Sequence, residues 1–135
     1  MNLFSAFSSI NYISVLVAGV VHMATGLMWF NYKFFGKQWA VLTKQELKPA
    51  KKWIIAGIIG HQIIALALAV VINLAGAITA LEGIYVAIII WLGFVVTLEI
   101  GELIWEKIQF RLFMIRIGNH LVALCLAGII LAVWQ

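Results

Sequence analysis

Five side chains that could do chemistry interrupt long apolar stretches of this 135-residue chain: His22, His61, Glu99, Glu102 and His120. Imidazole and carboxylate groups together form a ligand set suited to Zn, Mn, Fe or Ni. The same groups, without a metal, can bind a proton and pass it on. No two of them have the spacing of a His-x-x-x-His or Glu-x-x-His motif, so a site requires separate segments to meet.

Two further interpretations of these residues stay open. Two histidines from different segments could hold haem or another tetrapyrrole, since axial imidazole is a usual ligand. Alternatively, the polar groups only specify packing. In that case each histidine bonds to a neighbouring helix, and Arg116 pairs with Glu102 or Glu106 to lower the cost of burying a carboxylate.

The elements that must position these residues follow from composition. With 65% hydrophobic residues, 10% charged residues and a mean hydropathy of +1.12, the chain cannot cover a water-soluble surface with polar groups. Four windows reach the roughly 20 apolar residues that a membrane-spanning helix needs, at about 10–30, 53–74, 81–105 and 112–134. We therefore expect an all-α integral membrane four-helix bundle in which residues 1–135 form a single domain.

The basic residues predict the orientation of this bundle. All nine lie in two places, six lysines between Lys33 and Lys52 and a second group of Lys107, Arg111 and Arg116. The positive-inside rule puts both places in the cytoplasm. The expected topology is up-down-up-down in the inner (plasma) membrane, with both termini on the outer, periplasmic or extracellular side. The first helix should be retained, because no basic region precedes it.

The lysine-rich loop is the main extramembrane element. Thr43-Lys44-Gln45-Glu46 has the spacing of a capping box, so we expect a short interfacial helix at about 38–48. Anionic lipid headgroups are the expected partners of the basic residues, rather than nucleic acid. Cys125 lies inside an apolar stretch and is expected to be a small buried hydrophobe.

The depths of the candidate residues are similar. At about 1.5 Å per residue, His22, His61 and Glu99 lie roughly 16, 13 and 12 Å from the nearest flanking lysine, and His120 lies roughly 13 Å from Arg111. Small residues share the helical faces of the histidines, which favours close helix contact there. The sequence therefore predicts one intramembrane layer in the cytoplasmic half of the bundle.

Three functions are consistent with these features of the sequence. The first is binding or transport of a divalent metal or a proton by the five residues in an oligomeric protein. The second is a non-catalytic accessory or assembly subunit of a larger membrane complex, and the third is haem binding. The sequence has no Gly-rich phosphate loop and no Ser or Cys nucleophile beside a base, so soluble-style catalysis is not expected.

Four short motifs carry a family resemblance across nearly the whole chain. They are Gly26-Leu27-Met28-Trp29-Phe30, Phe35-Gly36-Lys37-Gln38-Trp39, Trp91-Leu92-Gly93-Phe94 and Gly118-Asn119-His120-Leu121. With them the chain resembles a small bacterial four-helix membrane family, domain of unknown function 1761. The resemblance implies the four-helix topology and no settled activity. Asn119 and His120 fall on the last-helix motif, whereas His22 and the Glu99-x-x-Glu102 pair depart from the family pattern.

Overall fold

The chain folds into helices joined by short connections. A computed structural model describes residues 2–135, and that part of the chain contains no strand. The predicted all-α class is confirmed. The elements are α1 (Leu3–Ser8), α2 (Tyr12–Trp29), α3 (Gly36–Thr43), α4 (Lys51–Ala75), α5 (Ala80–Ile90), a π-helical segment (Trp91–Val96), α6 (Thr97–Trp105) and α7 (Phe110–Val133).

Within residues 2–135, four helices are long and apolar enough to cross a membrane: α2, α4, α7 and the continuous helix Ala80–Trp105, which comprises α5, the π-helical segment and α6. We call this continuous helix the third long helix. The outer faces carry large exposed apolar side chains, such as Ile63, Ile89 and Leu98. Such surfaces are unfavourable in water and suit lipid. The expectation of four membrane-type helices is confirmed.

Helix α7 is the centre of the bundle. In the apolar stretch of α7, 44% of the residues are buried, whereas 11–28% are buried in the corresponding stretches of the other three long helices. Its closest neighbour is α5, because Gly128 of α7 and Gly83 of α5 face each other backbone to backbone. A Cβ added to either glycine would collide with the carbonyl oxygen of the other. Small residues at such crossings let membrane helices approach closely.

One end of the bundle is joined by hydrogen bonds between segments distant in sequence. The Asn73 amide at the end of α4 donates to the Ala6 carbonyl oxygen at 3.2 Å, and the Gln135 amide donates to the Ala77 carbonyl oxygen at 2.6 Å. Helix α1, which the sequence analysis did not predict, begins with a capping box formed by Asn2 and Ser5. Helix α1 is thereby attached to the end of α4, and Gln135 to the connection between α4 and α5.

The loop between α2 and α4 differs from the prediction. Its helix, α3, covers Gly36–Thr43 rather than about 38–48. The predicted capping box was wrong because Thr43 is the last residue of the helix, and its hydroxyl donates back to the Trp39 carbonyl oxygen at 2.8 Å. Lys44 then adopts a left-handed conformation with φ of 56°, which ends the helix.

Candidate functional site: a histidine pair beside an apolar cavity

His22 and His61 are in direct contact between α2 and α4. Their Nδ1 atoms lie 2.7 Å apart, and the ring centroids lie 4.9 Å apart with an angle of 51° between the ring planes. This is a hydrogen bond in which one ring must donate and the other accept. His22 is 1% exposed, while His61 is half-buried. The sequence placed these two residues at similar depth, and the structure brings them together.

Small residues on both helices make this contact possible. Ala18 lies one turn from His22 and Ala65 lies one turn from His61, and both alanines are fully buried. At Gly19 the space that a Cβ would need is filled by the end of the Gln62 side chain. Helices α2 and α4 can therefore approach closely enough for their imidazoles to meet.

An ion-pair group joins α6 and α7. One nitrogen of Arg116, Nη1, lies 3.1 Å from Oε2 of Glu102 and 3.4 Å from Oε2 of Glu99. The predicted pairing of Arg116 with Glu102 is confirmed. Glu99, which the sequence left without a partner, shares the same guanidinium. Glu106 takes no part in an ion pair within residues 2–135.

A cavity of about 460 Å³ connects the histidine pair with this ion-pair group. Its polar lining consists of His22, Glu99 and His120. The rest of the wall is apolar and comes from α4, the third long helix and α7. These apolar residues are Ile64, Ala67, Leu68, Val71, Ile90, Phe94, Val95, Leu98 and Leu124. We call this space the lateral cavity.

The five predicted site residues are thus divided between three connected groups. His22 and His61 form the pair, His22, Glu99 and His120 line the lateral cavity, and Glu102 lies with Arg116 at a half-exposed position. His22 and Glu99 each belong to two of these groups, because Glu99 also pairs with Arg116. In the described part of the chain, no three His, Cys, Asp or Glu side chains are arranged in a group that could hold a metal ion.

Tryptophans on two neighbouring helices attach α7 by hydrogen bonds that were not predicted from the sequence. The Trp29 indole donates to the Ile115 carbonyl oxygen at 3.0 Å, and the Trp91 indole donates to the Ile117 carbonyl oxygen at 2.7 Å. Trp91 begins the π-helical segment Trp91–Val96, which forms part of the cavity wall through Phe94 and Val95. Single π-helical turns inside α-helices are frequent at functional sites.

The fold and the site together define a small protein with four membrane-type helices around a buried polar group. A family model described as "protein of unknown function (DUF1761)" matches residues 13–132. The chain belongs to this family, as the four motifs had indicated. No curated protein and no solved structure is detectably similar to the chain.

Proposed function

We propose that this protein binds a proton inside the membrane on the His22–His61 pair and relays it between the lateral cavity and the opposite side of the pair. The observation that carries the proposal is the distance of 2.7 Å between the two Nδ1 atoms. A hydrogen bond of this length joins the two imidazoles into one unit with an outer Nε2 at each end. Such a unit can accept a proton at one end and release one at the other.

The transfer balances without any other reactant. When the Nδ1 proton sits on His22, its Nε2 is a lone-pair acceptor and His61 carries its proton on Nε2. A proton arriving at Nε2 of His22 makes that ring cationic. The shared proton then moves to Nδ1 of His61, and His61 releases its Nε2 proton. The pair ends neutral with the tautomers exchanged, and ring rotation or the reverse transfer resets it.

The position of the pair supports this role. His22 lines the lateral cavity, and its Nε2 is buried without a hydrogen-bond partner among residues 2–135, so it is available to a proton that arrives there. Glu99 and His120 line the same cavity and are the titratable groups from which such a proton would come. Glu102, with a side chain 46% exposed, extends this set toward the surface.

Proton flux into liposomes tests the proposal. Purified protein is reconstituted into liposomes that contain a pH-sensitive dye, and a potassium diffusion potential is applied. We expect the wild type to acidify the interior, and His22→Gln and His61→Gln to reduce that rate at least tenfold. Lys37→Gln, an exposed change outside the four long helices, is the control. Wild-type flux in both histidine variants, or no flux above empty liposomes in the wild type, would reject the relay.

A divalent metal is the second candidate ligand. His22, Glu99 and His120 line the same cavity, and two imidazoles with a carboxylate are ligand types that suit Zn or Mn. In the described residues these side chains are not arranged to hold a metal ion, so binding would require them to move closer together. Elemental analysis after purification in metal-free buffer and incubation with Zn²⁺ distinguishes the two functions. Bound zinc that disappears in His120→Ala would favour the metal. Proton flux that persists in a chelator favours the relay.

We further propose the topology that the basic residues indicate, with both termini outside and the lysine-rich loop in the cytoplasm beside anionic headgroups. The hydrogen bonds from Asn73 at the end of α4 to Ala6, and from Gln135 to Ala77 in the α4–α5 connection, support a common side for these three places. In a Cys125→Ser background, Ile78→Cys should react with an impermeant maleimide on intact cells. Lys44→Cys should react only after the membrane is broken, and the reverse pattern would refute the topology.

We also propose that the protein associates with further copies of itself or with another membrane protein. Gly57 and Gly60 support this, because they leave a patch of small residues on α4 with open space around both positions. Crosslinking in native membranes should give species larger than a monomer. Gly57→Leu should weaken them, whereas a monomer alone in the wild type would contradict the association.

A further inference from the structure

The lateral cavity opens on the side of the bundle that faces lipid. Its apolar wall residues on the two flanking helices are themselves partly or largely exposed, with Ile64 at 36% and Val71 at 39% on α4, and Phe94 at 67% and Leu98 at 74% on the third long helix. The rim of the cavity is therefore part of the outer surface of the bundle. A molecule dissolved in the membrane could enter between the two helices without passing through water.

The cavity lining includes Glu99, which belongs to an ion-pair group with an excess of negative charge. Glu99 and Glu102 share the single guanidinium of Arg116, so this group of three has a formal net charge of −1, and Arg116 lies nearer to Glu102. The Glu99 side chain is only 18% exposed, and its Oε1 atom takes no hydrogen bond from residues 2–135. A partly buried carboxylate with a shared partner favours a further positive charge close to it.

His22 supplies a second observation at the same place. It lines the cavity at 1% exposure, and its Nε2 has no partner in the described part of the chain. A buried polar atom without a partner costs free energy unless a ligand or water satisfies it. The cavity thus combines an apolar wall, an under-neutralised carboxylate and an unsatisfied imidazole nitrogen.

We propose that the lateral cavity binds a lipid-soluble organic cation, with the apolar body between α4 and the third long helix and the positive centre near Glu99. The volume of about 460 Å³ lies within the range of small-molecule sites. The Phe94 ring on the wall adds a surface that attracts cations. The cation would occupy the same cavity from which His22 is proposed to receive its proton. This inference therefore rests on the proposed function and names the class of ligand that the cavity binds.

Two probes of matched shape test the charge preference. Tetraphenylphosphonium and tetraphenylborate have the same four phenyl rings and opposite charges, and their binding to the full chain in lipid nanodiscs is measured by equilibrium dialysis. We expect saturable binding of tetraphenylphosphonium that Glu99→Gln weakens at least tenfold. Glu46→Gln removes the same charge from the exposed loop and should leave binding unchanged. Equal binding of both probes, or wild-type binding by Glu99→Gln, overturns the proposal.

Two further variants separate this inference from the proton relay. Ala67→Phe fills the cavity without changing a charge, so it should weaken tetraphenylphosphonium binding even if Glu99→Gln folds poorly; unaltered binding counts against the cavity. His61 does not line the cavity. His61→Gln should therefore stop proton flux and leave cation binding within twofold of wild type. Loss of proton flux without loss of tetraphenylphosphonium binding in His61→Gln supports a separate cation site. Absence of tetraphenylphosphonium binding in a wild type that still conducts protons overturns the cation site and not the relay.

Discussion

His22 and His61 form an imidazole pair in which the two Nδ1 atoms lie 2.7 Å apart, although 39 residues separate them in sequence. His22 is 1% exposed, and this contact is the one hydrogen bond of its side chain within residues 2–135. The pair therefore joins α2 to α4, in addition to the proton-binding role that we propose for it. Structural and functional roles of these side chains must be separated by experiment.

Replacing His61 with Ala should destabilise the protein by about 1 to 2 kcal/mol, because His22 then has two buried nitrogens without partners. His61→Gln keeps a polar group at the position and should cost less. His120→Ala leaves the pair intact and serves as the matched histidine control. Unfolding in mixed detergent micelles measures all three, and equal losses for His61→Ala and His120→Ala would contradict a stabilising pair.

A methyl group at the α5–α7 crossing should be among the most damaging small changes. Gly83→Ala or Gly128→Ala forces apart two helices that meet backbone to backbone, and we expect a loss of about 1 to 3 kcal/mol. Gly101→Ala is the control, since nothing lies within 4 Å of a Cβ there and alanine favours a helix. Only Gly83→Ala and Gly128→Ala should lower the melting temperature of the protein. Equal melting temperatures for these two variants and Gly101→Ala would contradict the close packing of α5 and α7.

Hydropathy was sufficient to predict the four long helices, because each of them needs only length and apolar composition. It could not reveal α1, which is six residues long and begins at a cap formed by Asn2 and Ser5. It also could not reveal the π-helical segment, since Trp91–Val96 is as apolar as its surroundings. The predicted capping box at Thr43 was wrong because a threonine hydroxyl has two local options. It can cap the start of a helix, or it can donate to a carbonyl oxygen in the preceding turn, as it does here.

The sequence allowed us to predict how deep each candidate residue lies along its helix. It did not allow us to predict how each helix is rotated about its axis. Counting residues placed the three histidines and Glu99 at similar depth, but which of them touch depends on how each helix is turned. The π-helical segment uses more residues per turn than an α-helix, so it rotates α6 relative to a regular continuation of α5. The position of Glu99 beside Arg116 follows from three-dimensional packing that a count of 3.6 residues per turn does not contain.

The shared guanidinium of Arg116 predicts energetic coupling to Glu99. Arg116→Gln and Glu99→Gln, singly and together, should give a coupling energy of about 1 kcal/mol in a double-mutant cycle, since both side chains are partly buried. The same cycle on Arg111 and Glu106, which form no ion pair in the described residues, should give a value near zero. Unfolding in detergent provides the four stabilities. Additive effects at Arg116 and Glu99 would show that their contact contributes nothing.

Trp91 should contribute to the attachment of the third long helix through its indole N–H. Trp91→Phe removes the donor to the Ile117 carbonyl oxygen at 2.7 Å while keeping an aromatic ring, and we expect a loss of about 1 kcal/mol. Trp105→Phe is the matched control, because Trp105 is 84% exposed. Since Trp91 also begins the segment that forms the cavity wall, Trp91→Phe should weaken tetraphenylphosphonium binding as well. A stability equal to that of Trp105→Phe would mean that the hydrogen bond does not hold the segment in place.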